Sequence, residues 1–212
     1  MSKLIGVFGG TFDPVHNGHT KIILNLLQLI SFDEIKVIPN GVPPHRASIG
    51  SNNDRLKMVY LAFQGINQIS IDEREIHRKG LSYAIHTARE VLNEFHEDKI
   101  VWIMGSDAFS EIDSWFEWEE FIDLVNILVM ARPGSKIDTT SKAQSLIKDR
   151  QVADIGLLEE GAGNILIVDI DPVNISSTQV RKNIGCGEGV GDLILEDVSD
   201  YIDAGKLYTK NI

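Results

Sequence analysis

The chain has 212 residues, 43% of them hydrophobic, which is enough for one α/β domain of ordinary size with a full core. Its formal net charge of −11 argues against a broad nucleic-acid-binding surface, which needs an excess of Lys and Arg. A single cysteine excludes an internal disulfide framework and fits a reducing cytosol. Met1-Ser2-Lys3 runs directly into an apolar stretch with no room for a signal peptide, and no apolar run reaches membrane-spanning length. The expectation is a cytoplasmic protein without nucleic-acid or membrane partners; homo-oligomerisation stays open.

Leu4 to Phe8 is short and β-branched enough for a buried strand. Gly9 and Gly10 then allow a sharp turn with bare backbone N–H groups, and Asp13-Pro14 prolongs the loop. Ile22, Ile23, Leu26, Leu27 and Ile30 recur at helical spacing, so the order is strand, Gly-rich loop, helix. The start of such a helix attracts phosphate. His16 and His19 lie one helical turn apart at its mouth, with both rings on one side. Two such histidines can be zinc ligands, an acid/base pair, donors to phosphate oxygens, or plain capping residues. Zinc needs a third ligand, and the only cysteine, Cys186, is distant in the chain.

The string Gly9-Gly10-Thr11-Phe12-Asp13-Pro14-Val15-His16-Asn17-Gly18-His19 resembles the His-x-Gly-His signature of the nucleotidylyltransferases. Its longer Gly-Gly-Thr-Phe-Asp-Pro form resembles the nicotinate mononucleotide adenylyltransferase branch. The resemblance implies that Gly9, Gly10, Thr11 and Phe12 belong to an ATP site and that His16 and His19 are catalytic.

A second strand, Glu34 to Pro39, precedes Asn40-Gly41-Val42-Pro43-Pro44-His45-Arg46. On its own this reads as a stiff, solvated loop. The family's Pro-Pro-His-Lys stretch implies mononucleotide contact at His45 and a cation for ATP at Arg46, where arginine stands for the usual lysine. Asn53 or Asp54 is expected to cap a helix to about Gly65, burying Leu56, Val59, Tyr60 and Phe63. A strand over Gln68 to Asp72 follows, then a charged and solvated connection, Glu73 to Lys79. Ser82 is expected to cap a helix to about Phe95. Ser82, Tyr83 and Thr87 match the family's Ser-Tyr-Thr-x-Asp-Thr, implying mononucleotide binding, with Thr87 hydrogen-bonded to the nicotinate carboxylate. Ala84 and His86 depart from that pattern, and the role of His86 is open.

The strand Lys99 to Met104 ends in Gly105-Ser106-Asp107, where a carboxylate can accept ribose hydroxyls or cap a helix. The resemblance assigns Gly105 and Asp107 to the ribose of ATP. Of the aromatic cluster that follows, Phe116 and Trp118 are read as core. Family spacing sets Trp115 against the pyridine ring, with the Phe116 N–H as a second donor to the carboxylate. Asn126 to Ala131 is a strand and Arg132-Pro133-Gly134 a turn. Residues 136–162 are uninformative apart from a short helix at Ser141 to Lys148. After a last strand, Ile165 to Ile170, comes Ile175-Ser176-Ser177-Thr178-Gln179-Val180-Arg181. Ser176 or Ser177 can cap the next helix, with Arg181 one turn in. This is the family's second signature, implying that Ser176, Ser177, Thr178 and Arg181 bind the triphosphate and that Arg181 is catalytic.

Strands alternating with helices imply a Rossmann-like doubly wound parallel sheet in a single domain, residues 1–212, with a helical portion from about 176 packed on it. The implied reaction joins nicotinate mononucleotide and ATP to give nicotinate adenine dinucleotide and pyrophosphate, with Mg²⁺ bridging the phosphates and no protein ligands assigned to it. The alternatives are nicotinamide mononucleotide, phosphopantetheine or glycerol phosphate as acceptor, or a non-catalytic nucleotide sensor.

Overall fold

The structure is a computed structural model and describes residues 2–44, 47–131, 141–158, 161–171 and 173–209. Seven strands form one parallel sheet: β1 (Leu4–Gly10), β2 (Glu34–Pro39), β3 (Ile69–Ile71), β4 (Lys99–Gly105), β5 (Asn126–Ala131), β6 (Gln151–Val152) and β7 (Ile165–Asp169). Their order across the sheet is β3-β2-β1-β4-β5-β7-β6. The helices are α1 (Asn17–Leu29), α2 (Asn52–Phe63), α3 (Arg74–His77), α4 (Ala84–Glu94), α5 (Ser106–Ser110), α6 (Trp118–Leu124), α7 (Ser141–Arg150), α8 (Ser177–Gly185) and α9 (Glu196–Gly205). Among the described residues, no helix is long and apolar enough to cross a membrane.

Period-two alternation builds a core on each face of the sheet. Leu4 and Phe8 of β1 pack with Ile23 and Leu26 of α1, Met58 of α2 and Ile202 of α9. Ile5 and Val7 point the other way, towards Ile85 and Val91 of α4 and Phe121 of α6. The chain therefore winds to one side of β1 through β2 and β3, and to the other through β4 and β5. This reversal opens a crevice at the carboxyl ends of β1 and β4, where open α/β sheets hold ligands.

Several expectations are corrected by tertiary structure. The cap of α2 is Ser51, whose side chain accepts from the Asp54 N–H. The buried stripe of α2 includes Arg55 and Met58, while Tyr60 is exposed. Ser82 does not cap α4, because its hydroxyl oxygen accepts the N–H groups of Gly41 and Val42 at 3.0 and 3.3 Å. The charged connection Glu73 to Lys79 contains the single turn α3 and buries Glu75. Phe116, read as core, is 47% exposed.

Gly41 permits the close approach of the β2 loop to α3: a Cβ there would lie 1.9 Å from the Glu75 carbonyl oxygen. Gly41→Ala is expected to lower stability by about 1–3 kcal/mol through overpacking, measured by urea denaturation. Wild-type stability would contradict this packing.

Candidate active site

The loop from β1 to α1 is held from beneath. Phe12 takes a left-handed conformation, φ +47°, which is costly for a non-glycine residue. Its buried ring meets the His19 ring edge-on at 5.0 Å. Gly10 has no alternative, since a Cβ there would lie 2.9 Å from the Phe12 ring. The buried Asp13 carboxylate accepts the N–H groups of Ile49 and Gly50, at 2.7 and 2.9 Å, and the Tyr208 hydroxyl at 2.7 Å. Burial and this carboxylate push the Tyr208 hydroxyl pKa upward, so it remains a donor.

Arg55 is fully buried and ties two loops together. It donates to the Thr11 carbonyl at 2.6 Å and to the Asn40 carbonyl at 2.6 Å, with Gly41 at 3.1 Å and Asn52 Oδ1 at 2.7 Å. Burial lowers its pKa and the Asp13 charge opposes that shift, so the pair compensates electrostatically. Sequence reading missed Arg55, Asp13, Tyr208 and Glu75. The arginine on the apolar stripe of α2 was the available signal for the first.

His16 is the N-cap of α1, and its backbone N–H donates to His19 Nδ1 at 3.2 Å. An Nδ1 that accepts leaves the proton of a neutral imidazole on Nε2, so His19 is a donor through Nε2. The two rings stack with centroids 3.7 Å apart. Gly18 allows this, because a Cβ there would lie 2.9 Å from the His16 ring. Burial pushes His16 down to about 4. Burial, and secondarily His16, holds His19 well below the usual histidine range. Both rings are therefore neutral near pH 7.

The second signature meets the first. Ser176 caps α8 by accepting the Gln179 N–H at 3.2 Å. Ser177 Oγ donates to the Pro14 carbonyl at 2.9 Å, and Arg181 Nη1 to the Asp13 carbonyl at 2.6 Å. His16, His19, Ser176, Ser177 and Thr178 consequently line one cavity of about 310 Å³. Arg181 is not among its lining residues: its guanidinium lies against the Asp13 carbonyl and, at 3.4 Å, the Thr178 hydroxyl.

A larger cavity of about 410 Å³ lies between the ends of β1 and β4. Gly9, Gly10 and Thr11 line it on one side, and Ser82, Tyr83 and Gly105 on others. Trp115 and Phe116 border it, with Phe116 4.6 Å from the Tyr83 ring. His86 stands edge-on to both Tyr83 and Phe116. Gly105 is the N-cap of α5 and Asp107 lies exposed in its first turn without a capping bond.

Two expected residues stand elsewhere. Phe12 lines neither cavity, because its ring packs beneath His19. Thr87 is fully buried and outside both linings; its hydroxyl donates to Glu75 Oε1 at 2.6 Å and accepts from Arg78 Nη1 at 2.9 Å. In this structure the Thr87 hydroxyl, expected to bond a nicotinate carboxylate, is thus engaged by Glu75 and Arg78. His45 and Arg46 lie outside the described residues. Among the described residues no group of three or more His, Cys, Asp or Glu is placed to hold a metal ion.

The profile of the family described as cytidylyltransferase-like matches residues 7–183. A protein of Pseudomonas putida (strain GB-1) named probable nicotinate-nucleotide adenylyltransferase is 37% identical over 208 residues, 97% of this chain and 95% of that protein. A protein of the same name from Pseudomonas aeruginosa (strain UCBPP-PA14) is 37% identical over 210 residues, 98% of each chain. The solved structure of Plasmodium falciparum nicotinic acid mononucleotide adenylyltransferase complexed with NaAD superposes with a TM-score of 0.76 at 19% identity, covering 99% of this chain and 98% of that one. At that identity the likeness is one of fold.

The histidine pair makes stability pH-dependent. His16 has a folded pKa of about 4 against an ordinary 6.5, so the unfolded chain binds its proton first on acidification. Its contribution is complete above about 6.5 and is lost as pH falls towards about 4. The urea midpoint is expected to fall between about pH 7.5 and 5.5 in wild type and less steeply in His16→Asn. Equal slopes would contradict the assigned shift.

Proposed function

The chain belongs to the cytidylyltransferase-like family and, within it, to the nicotinate-nucleotide adenylyltransferases, and we propose that it joins nicotinate mononucleotide to ATP by the in-line chemistry described below. The products are nicotinate adenine dinucleotide and pyrophosphate, a step of NAD biosynthesis. The observation that carries the mechanism is the convergence of His16 and His19 with Ser176 to Thr178 on one cavity.

An oxygen of the mononucleotide 5′-phosphate attacks the α-phosphorus of ATP. A new P–O bond forms while the bond to the bridging α–β oxygen breaks, and pyrophosphate leaves with that electron pair. The nucleophile is already anionic near neutral pH, so no general base is required. A histidine titrating at about 4 would in any case be a weak base. The barrier lies in aligning two repelling phosphates and stabilising charge on the α-phosphate and leaving group.

His19 meets that need through its Nε2–H, a neutral donor that pays no deprotonation penalty near pH 7. Ser177 and Thr178 open α8 towards the same cavity, and α1 starts at its other side. Neither helix carries an acidic residue in its first turn, so both positive ends are left for the triphosphate. Arg181 supports this arrangement by holding the Asp13 carbonyl and adds a cation behind it. No acidic residue is among those described as lining the 310 Å³ cavity, which suits a Mg²⁺ ligated by phosphate oxygens and water. When bound, the ion supplies neutralisation of phosphate charge.

The 410 Å³ cavity is assigned to the mononucleotide, with the Trp115 face for the electron-poor pyridine ring and Tyr83 and Phe116 at its border. Asp107, exposed and without a capping bond, is assigned to the ribose of ATP with Gly105. We also assign the chain to the cytoplasm, in keeping with a single cysteine, Cys186, and hence no internal disulfide framework.

His19→Ala is expected to lower kcat by roughly 10²–10³-fold, by analogy with loss of one oxyanion donor, while circular dichroism stays native. Near-normal turnover with saturating ATP and nicotinate mononucleotide would overturn the role of His19.

A further inference from the structure

We propose that Tyr208, close to the C-terminal end of the chain, is a positioning residue of the phosphate site. Through the Asp13 carboxylate, its hydroxyl sets the direction in which the Asp13 and Pro14 carbonyls meet Arg181 and Ser177. The proposal rests on the assignment of the 310 Å³ cavity to the triphosphate.

The end of the chain is bent to deliver this side chain. After α9, Lys206 and Tyr208 both take left-handed conformations, φ +50° and +61°, which are costly for residues other than glycine. The Leu207 N–H between them donates to the Ile202 carbonyl at 2.9 Å. The result is a buried Tyr208 that belongs to the same core as Val180 of α8 and Val198 and Ile202 of α9. Packing in an apolar core needs no hydroxyl, whereas a buried tyrosine hydroxyl needs a partner. Here the partner is Asp13 Oδ1 at 2.7 Å, 195 residues away. A bond to an ionised acceptor is about twice as strong as one between neutral groups.

The neighbouring loop leaves room for this contact. A Cβ at Gly50 would lie 2.7 Å from the Tyr208 hydroxyl oxygen and 2.8 Å from Asp13 Oδ1. Glycine at that position lets its own N–H reach Asp13 Oδ1 at 2.9 Å, while the Ile49 N–H reaches Oδ2 at 2.7 Å. Three donors therefore hold one carboxylate, and Tyr208 is the one that comes from a side chain. Asp13 faces two ways. Its carboxylate is held by these donors, and its carbonyl accepts Arg181 at 2.6 Å. The next carbonyl, that of Pro14, accepts Ser177 at 2.9 Å. Fixing the side chain of Asp13 therefore fixes the face that its backbone offers to α8.

The mononucleotide side is secured by other residues. Arg55 holds the Asn40 and Gly41 carbonyls, and the Ser82 oxygen holds the Gly41 and Val42 N–H groups. Asn40 and Ser82 line the 410 Å³ cavity, whereas Tyr208 lines neither cavity. Loss of the Tyr208 hydroxyl therefore acts on the triphosphate side and spares the mononucleotide side. A purely structural role gives no such split.

The test compares initial rates of wild type, Tyr208→Phe and Tyr201→Phe, varying ATP at saturating nicotinate mononucleotide and then the reverse, alongside thermal melts. Tyr208→Phe keeps the ring and loses only the hydroxyl. It is expected to lower kcat/KM for ATP about tenfold while the KM for the mononucleotide stays within about twofold of wild type. Tyr201→Phe removes a different hydroxyl bond, from α9 to Asp54 at 2.9 Å. It is expected to leave both constants within about twofold. A fall for ATP of less than about threefold in Tyr208→Phe, equal losses for both substrates, or the same loss in Tyr201→Phe would overturn the proposal. If Tyr208→Phe does not fold, Asp13→Asn, which leaves one of the three donors without an acceptor, is read by the same criterion. If that variant does not fold either, the contact serves stability alone and the proposal is overturned. Wild type that forms no dinucleotide would overturn the assigned reaction, and this proposal with it; an active wild type with an indifferent Tyr208 overturns only the latter.

Discussion

Two backbone carbonyls, those of Asp13 and Pro14, join the halves of the site. Arg181 donates to the first and Ser177 to the second, across 168 and 163 residues of chain. These bonds hold the start of α8 against the histidine loop and help define the 310 Å³ cavity between them. The same loop is anchored below by Asp13, which holds Ile49, Gly50 and Tyr208. Arg55 links it sideways to the end of β2. A short loop is thus gripped by a helix start, a buried guanidinium and a residue near the C-terminus. Such support is what preorganised electrostatics requires, since a donor that must be reoriented during reaction loses much of its advantage.

The charge of the chain as a whole is opposite to what a polyanion seeks, and the fold resolves this locally. Neutral imidazole donors, hydroxyls and two helix starts surround the small cavity, with no carboxylate among its described lining residues. Desolvation keeps the histidines uncharged, so their donor capacity does not depend on holding a proton near pH 7. The larger cavity follows a different design: an aromatic border and a buried carboxyl, Glu75, inside a network of hydroxyl donors.

Much of this was legible in the residues. The runs Glu34 to Pro39 and Asn126 to Ala131 are rich in Ile, Leu and Val and followed by turn-forming residues, and β2 and β5 have those limits. The motif at each strand end announced the order of strand, loop and helix, and the parallel sheet brought the motifs to one edge. Local pattern was misleading where tertiary contacts reassigned a polar group. Ser82 has the look of a cap but serves the N–H groups of Gly41 and Val42. Glu75 sits within a run of charged residues, and sequence alone does not distinguish the one buried member from its solvated neighbours. Arg55 is polar on an apolar stripe, legible only as an irregularity until its carbonyl partners are known. The Tyr208 to Asp13 bond spans 195 residues and leaves no trace in local sequence.

The most direct test of the shared phosphate site is a crystal structure with a non-hydrolysable ATP analogue and Mg²⁺. The account predicts phosphate oxygens within hydrogen-bond reach of His19 Nε2 and of the Ser177 and Thr178 backbone N–H groups at the start of α8. A triphosphate bound elsewhere, with the cavity between His16, His19 and Ser177 holding only water, would contradict it.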